Sequence, residues 1–295
     1  MRLTPSTGAA AKLASLLAAT MIFLVAVPMP AASAAPPAKE GRQSSLGNDV
    51  SWPQCGKTLP TDPAFAIVGV NNGLANTTNP CFTAQLTWAK NSTTSAAPSQ
   101  PDVALYVNTA NPELSGSWWP VSNIYPDPDN KDGSNYENQA GTTVHNPYGD
   151  CKEALDPVGT ACAYMYGYAK AYDDAHIRGV NNPAGYFWWL DVELENSWST
   201  TNRNANRAVL EGMAQLFLDM DAQGVGIYST NYQWGQIMGT VDSSSNLHAL
   251  PSWLAGARTV TGAKANCSDS PLTGGGKVVL TQFVSKTLDY NYSCI

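Results

Sequence analysis

Short, unbroken apolar runs recur along the chain. They are Ala64-Phe65-Ala66-Ile67-Val68-Gly69-Val70, Val103 to Val107, Tyr186 to Val192, Val225 to Tyr228 and Val278 to Phe283. Runs without polar alternation suit strands covered on both faces, as in a parallel sheet. Between them the apolar spacing changes to i, i+3, i+4. Ala161, Tyr164, Met165, Tyr168, Ala169, Tyr172 and Ala175 predict one helix, stopped at Gly179. Ala205, Ala208, Val209, Gly212, Leu216, Phe217 and Met220 predict another, capped within Ser199-Thr200-Thr201 and followed by Gly224. Strand alternating with helix means an α/β architecture. On pattern alone a closed barrel and an open sheet both fit. The lack of G-x-G-x-x-G after the first strand argues against a dinucleotide-binding open sheet. Residues 109–160 interrupt the rhythm with Asn, Asp, Pro, Gly, Trp and Tyr. So long a stretch in a compact domain predicts an elaborated loop, placed on the strand-end face, where it could roof a cleft.

The chain opens differently. Arg2 and Lys12 precede an apolar stretch from Leu13 to Pro28, and Ala32-Ser33-Ala34 gives a small-x-small cleavage pattern. Residues 1–34 therefore read as a secretory signal peptide, 35–46 as a short tether and 47–295 as the folded domain. The apolar stretch is short for a membrane span, and no later run could cross a bilayer. All six cysteines lie beyond the leader, and a secreted protein meets oxidising conditions. Spacing predicts three local disulfides, Cys55–Cys81, Cys151–Cys162 and Cys267–Cys294.

Composition narrows the partners. Charged residues are only 13% of the chain and the net charge is −7, which becomes −9 once Arg2 and Lys12 are cleaved away. No basic stripe supports nucleic-acid binding, and an anionic secreted protein is not drawn to anionic membranes. Three histidines without ligand spacing give no zinc motif. No P-loop, G-x-S-x-G or other cofactor or nucleophile motif appears. The expectation is a secreted monomer without metal or cofactor.

The sharpest chemical signal is Trp188-Trp189-Leu190-Asp191-Val192-Glu193. An apolar strand ends in carboxylates at i and i+2, which point to one side. Two acids that close do not ionise equally, and a raised pKa is what a general acid requires. Asp49 ends a short first strand, and Asp289 follows the last predicted strand. In a closed barrel the first and last strands are neighbours, so these acids would converge there. Aromatics that could stack on sugar rings cluster near strand ends: Trp52, Trp118, Trp119, Tyr228, Trp234 and Trp253. Trp88 and Trp188 read as core.

These pieces, in this order, resemble glycoside hydrolase family 25, the secreted lysozyme-type muramidases. The opening motif is Asp49-Val50-Ser51-Trp52-Pro53-Gln54. Phe65 to Val70 is similar to the second strand, and Leu190-Asp191-Val192-Glu193 to the catalytic Asp-x-Glu. Gly224 to Ser229, Trp253-Leu254-Ala255, Gln282-Phe283 and Asp289-Tyr290-Asn291 resemble later strands. The resemblance implies a TIM-like β/α barrel and hydrolysis of the β-1,4 bond between N-acetylmuramic acid and N-acetylglucosamine. It implies Glu193 as general acid/base, Asp191 orienting or stabilising the substrate, and Asp49 and Asp289 completing an acidic cleft. Tyr228, Trp253, Tyr106 and Gln282 would contact the glycan. The third strand departs from the family, running Tyr106-Val107-Asn108-Thr109 where a His-Phe pair is usual. That departure, with the long insertion, keeps open a barrel that binds a glycan without cutting it.

Overall fold

A computed structural model describes residues 45–130, 140–152 and 156–295. The leader and most of the tether lie outside them. In chain order the elements are β1 (Leu46–Val50), β2 (Ala66–Gly69), α1 (Phe82–Ser92), β3 (Val103–Asn108), β4 (Ile124–Tyr125), β5 (Thr142–Thr143), α2 (Thr160–His176), β6 (Phe187–Asp191), α3 (Arg203–Asp219), β7 (Gly224–Ser229), α4 (Asn231–Ile237), β8 (Ser252–Ala257), α5 (Val260–Asn266), β9 (Val278–Ser285) and β10 (Leu288–Ser293).

Eight strands close a barrel in the order β1-β10-β9-β8-β7-β6-β3-β2. Seven run parallel, from β1 through β2, β3, β6, β7 and β8 to β9. The eighth, β10, inserts antiparallel between β9 and β1. This corrects one expectation: Asp289 does not follow the last strand but is the second residue of β10. The chain reverses at Lys286-Thr287, where Lys286 takes φ +60°. A turn usually recruits Gly or Asn for that conformation, so its sequence signal is missing.

Period-two alternation divides each strand. On β6, Trp188, Leu190 and Val192 face the helical layer, and Trp188 stacks on Phe217 of α3. Trp189 points the other way, into a small lumen with Phe65, Ile67, Ala104, Trp253 and Leu280. Side chains fill that lumen by pairing small with large across one rung, Gly69, Tyr106, Trp189 and Gly226. A Cβ on Gly69 would lie 2.5 Å from the Tyr106 ring, and one on Gly226 would lie 2.3 Å from the Trp189 ring. Both glycines therefore exist to make room for a neighbour's aromatic ring. The same device joins α2 to α3, where a Cβ on Gly167 would sit 1.8 Å from the Val209 carbonyl oxygen.

Both sequence-predicted helices form. The α3 cap is Asn202, whose side chain accepts from the Ala205 amide, rather than a residue of 199–201. The residue that turns the chain after α3 is Asp221, at φ +55°, and Gly224 instead begins β7. The three disulfides are Cys55–Cys81, Cys151–Cys162 and Cys267–Cys294. Among the described residues no helix is long and apolar enough to cross a membrane.

The insertion lies elsewhere than expected. It leaves β3 at the strand-end face, but its described residues pack on α2. Trp118 and Trp119 stack on Tyr166, and the Tyr125 hydroxyl donates to Asp173 at 2.6 Å. Cys151–Cys162 ties its end to the same helix.

Candidate active site

At the carboxyl ends of the parallel strands a cleft of about 360 Å3 opens, and all eight sequence-predicted site residues line it. No described residue of 109–160 does, so the expected roof over the cleft is not found among them. Register explains the convergence. Asn108, Asp191, Tyr228 and Trp253 occupy one rung across β3, β6, β7 and β8. Asp49 faces Asp289 directly across β1 and β10. Like charges placed so are destabilising, and among the described residues no Lys or Arg lines the cleft to offset them.

Asp49 and Asp191 are held by side-chain amides instead. The Asp49 carboxylate accepts from Gln282 Nε2 at 3.1 and 3.2 Å and from Asn291 Nδ2 at 2.7 Å. Gln282 and Asn291 are themselves cross-strand partners on β9 and β10. Burial, then repulsion from Asp289, raises the Asp49 pKa to about 7, although both amides pull the other way. Burial also raises that of Asp289.

Asp191 and Glu193 form the second pair. Asn108 Nδ2 donates to Asp191 Oδ2 at 2.6 Å. Asp191 Oδ1 is buried and receives no N–H or O–H from the described residues. Asp191 and Glu193 lie close enough to shift each other's titration. Burial raises the Asp191 pKa strongly, with Glu193 and Asp49 adding repulsion. Burial and then Glu195 raise that of Glu193, against a hydrogen bond from Gln233. Both carboxyls therefore hold their protons to higher pH than isolated ones would. Asp191 is buried at 4% exposure, whereas Glu193 sits two residues beyond the end of β6 and is half-buried. Glu193 is thus the member of the pair more open to the cleft.

The aromatic wall is built from Tyr228, whose hydroxyl donates to Gln282 Oε1 at 2.9 Å, and Trp253, with ring centroids 4.4 Å apart. Trp253 Nε1 is buried without an acceptor among the described residues. Tyr106 meets Trp253 edge-on at 6.5 Å. Trp52, 46% exposed, stands on the rim over Gly73. Trp118 and Trp119 belong to the flank and not to this wall, and Trp234 is buried in α4.

Sequence reading missed three supporting residues. Gln233 comes from α4, a helix of seven residues whose signal was its cap, the Thr230 hydroxyl accepting from Gln233 N. Asn291 was seen only as a motif letter. Asn108 replaces a family position and was read as a departure, yet it anchors Asp191. Its backbone N–H donates to Asn71 Oδ1, and Asn71 Nδ2 donates to Asp174 Oδ1, which also accepts from Arg178 Nε. Among the described residues no group of His, Cys, Asp and Glu is arranged to hold a metal ion.

No family model matches the chain. A curated protein of Dictyostelium discoideum, "Probable GH family 25 lysozyme 5", is 25% identical over 152 residues, which are 50% of this chain. The match spans 62% of that relative's length. Solved structures align over 85% of this chain and 93% of theirs: a muramidase from Trichobolus zukalii (15% identity, TM-score 0.47) and one from Acremonium alcalophilum (14%, 0.45). A bacterial lysozyme from Streptomyces coelicolor aligns to the same extent at 16% identity and TM-score 0.42. Over half its length, then, this chain is similar in sequence to a glycoside hydrolase family 25 lysozyme.

Proposed function

We propose that the chain is a secreted glycoside hydrolase that cuts peptidoglycan at the β-1,4 bond between N-acetylmuramic acid and N-acetylglucosamine. The observation that carries this reading is a cleft lined by four acids and by no described Lys or Arg, with its carboxyl pKa values raised by burial. A lysozyme relative in sequence supports the substrate class. A saccharide needs no positive site, and buried protonated carboxyls suit proton transfer to a glycosidic oxygen.

In this mechanism Glu193 protonates the leaving oxygen as the C1–O bond breaks. Asp191, buried and fixed by Asn108, holds the substrate's 2-acetamido group or the developing cation. A water then adds its hydroxide to C1 and returns its proton to Glu193. Asp49 and Asp289 complete the acidic cleft beneath the reacting sugar, with Tyr228 placed against it by Gln282. Activity falls as pH rises through the raised Glu193 pKa, because the acid form is lost.

The test is turbidity loss and reducing-end release from purified peptidoglycan, wild type beside Glu193→Gln. Release by wild type with loss of at least 100-fold in the variant is expected. Full activity in Glu193→Gln would remove Glu193 from the mechanism. Tight glycan binding with no release by either protein would make this a barrel that binds without cutting.

A further inference from the structure

Beside the cleft lies a second cavity, of about 490 Å3. Three loops separate the two, and each contributes to both. After β2, Gly73 lines the cleft and Leu74 the second cavity; after β3, Asn108 and Ala110 divide in the same way. After β6, Asn196 lines both. A step of one or two residues, at most about 7 Å of chain, therefore leads from one cavity into the other. The far wall is Ser115 to Trp118 of the insertion, and the floor is α2 and the residues just after it.

The chemistry of this cavity differs from that of the cleft. It holds charges of both signs, all buried: Lys170, Asp173 and Arg178. Lys170 Nζ lies 2.8 Å from Asp173 Oδ2 and 4.9 Å from the Trp118 ring centroid. Arg178 Nε lies 2.6 Å from Asp174 Oδ1, and its Nη1 donates to Thr78 Oγ1 at 3.1 Å. Leu74 and Ile177, 55% and 41% exposed, add apolar surface at the mouth. Lys170 and Arg178 are already paired with Asp173 and Asp174, so the wall presents polar groups of both signs without a net charge. A short peptide bearing an amino group, carboxylates and methyl side chains matches all three features.

The geometry points to this cavity as the seat of the short peptide carried by the sugar in the adjacent cleft, so that the protein selects peptide-bearing over bare glycan strands. This rests on the glycosidase reading above and names a second recognition element for it. The peptide of peptidoglycan hangs from the muramic acid ring through a lactyl ether, and the loop-wide gap between the cavities is the span such a linkage has to cross.

The experiment compares hydrolysis of intact peptidoglycan fragments with the same glycan strands stripped of peptide by an amidase. A free stem tetrapeptide containing a diamino acid is titrated in parallel, followed by the Trp118 indole N–H in NMR. Wild type is expected to show a KM at least tenfold lower on the peptide-bearing strands, and the tetrapeptide to shift the Trp118 signal. Ser117→Trp, or Asn76→Trp on the opposite rim, fills the mouth from an exposed position and is expected to bring the two KM values together. Equal KM values in wild type, an unmoved Trp118 signal, or a preference that survives both variants would overturn the inference. If wild type releases no reducing ends from either polymer, the glycosidase reading fails, while the tetrapeptide titration still decides whether this cavity takes a peptide.

Discussion

The two neighbouring cavities bury carboxylates in opposite ways. In the cleft, Asp49, Asp191, Glu193 and Asp289 meet amides and one another but no Lys or Arg. In the second cavity and behind it, Asp173 and Asp174 each lie on a cation, Lys170 at 2.8 Å and Arg178 at 2.6 Å. The Arg178 guanidinium does not fully offset burial, since the Asp174 pKa still rises to about 6. Yet the contrast stands. A buried ion matched by its opposite keeps its charge and holds a shape. Buried acids with no opposite keep a proton and can move it. One cavity concentrates acids without cations, and the other pairs its charges.

Removing charge from each side tests the contrast most strongly. Glu193→Gln takes an acid out of an over-acidic cleft, so hydrolysis should fall by about 10² to 10⁴. Thermal stability should be unchanged or higher, because a repulsive member has gone. Lys170→Met does the reverse. It leaves Asp173 buried without its cation, which destabilises by about 3 kcal/mol, read as a lower denaturant midpoint. An active, unfolding-prone Glu193→Gln or a fully stable Lys170→Met would erase the distinction between the two sites.

The lumen beneath the cleft should respond next. Gly226→Ala puts a methyl into the Trp189 ring and should cost about 1–3 kcal/mol, as overpacking does. Displaced Trp189 would move Trp253, 5.6 Å away, and with it the cleft wall. A variant as stable as wild type would show that the rung tolerates repacking. Gly235→Ala in α4 is the control, since its added Cβ has nothing within 4 Å.

How much of this could be read from sequence depends on whether the determinant is local. The parity of Asp191 and Glu193 follows from strand geometry alone, and both α2 and α3 announce themselves by spacing over many residues. The three disulfides close loops of 26, 11 and 27 residues, short enough to guess by proximity. What could not be read is set by contacts distant in sequence. Nothing near Asn291 indicates that it will donate to Asp49, 242 positions away. The direction of β10 turns on one Lys at positive φ. The insertion's aromatics suggested a sugar-stacking roof, but Trp118 and Trp119 find Tyr166 on α2 instead. Aromatic composition carries no address, and packing against a helix satisfies it as well as a ligand would.

The smallest expected effect separates two causes inside the cleft itself. Asp49 has its pKa raised from 3.8 to about 7, first by burial and second by Asp289. Between those values the folded state keeps a proton that the unfolded chain has released. Folded protein then binds more protons than unfolded, so stability must fall as pH rises across that window and level off above about 7. Asp49→Asn removes this slope. Its advantage over wild type should be near zero at pH 4 and on the order of 1 kcal/mol or more at pH 8, measured as the difference in unfolding free energy. Asp289→Asn leaves Asp49 buried and removes only the repulsion. If burial dominates, most of the Asp49 slope persists in that background. If repulsion across the β1–β10 register dominates, the slope collapses, and the antiparallel closing strand would be what keeps Asp49 protonated.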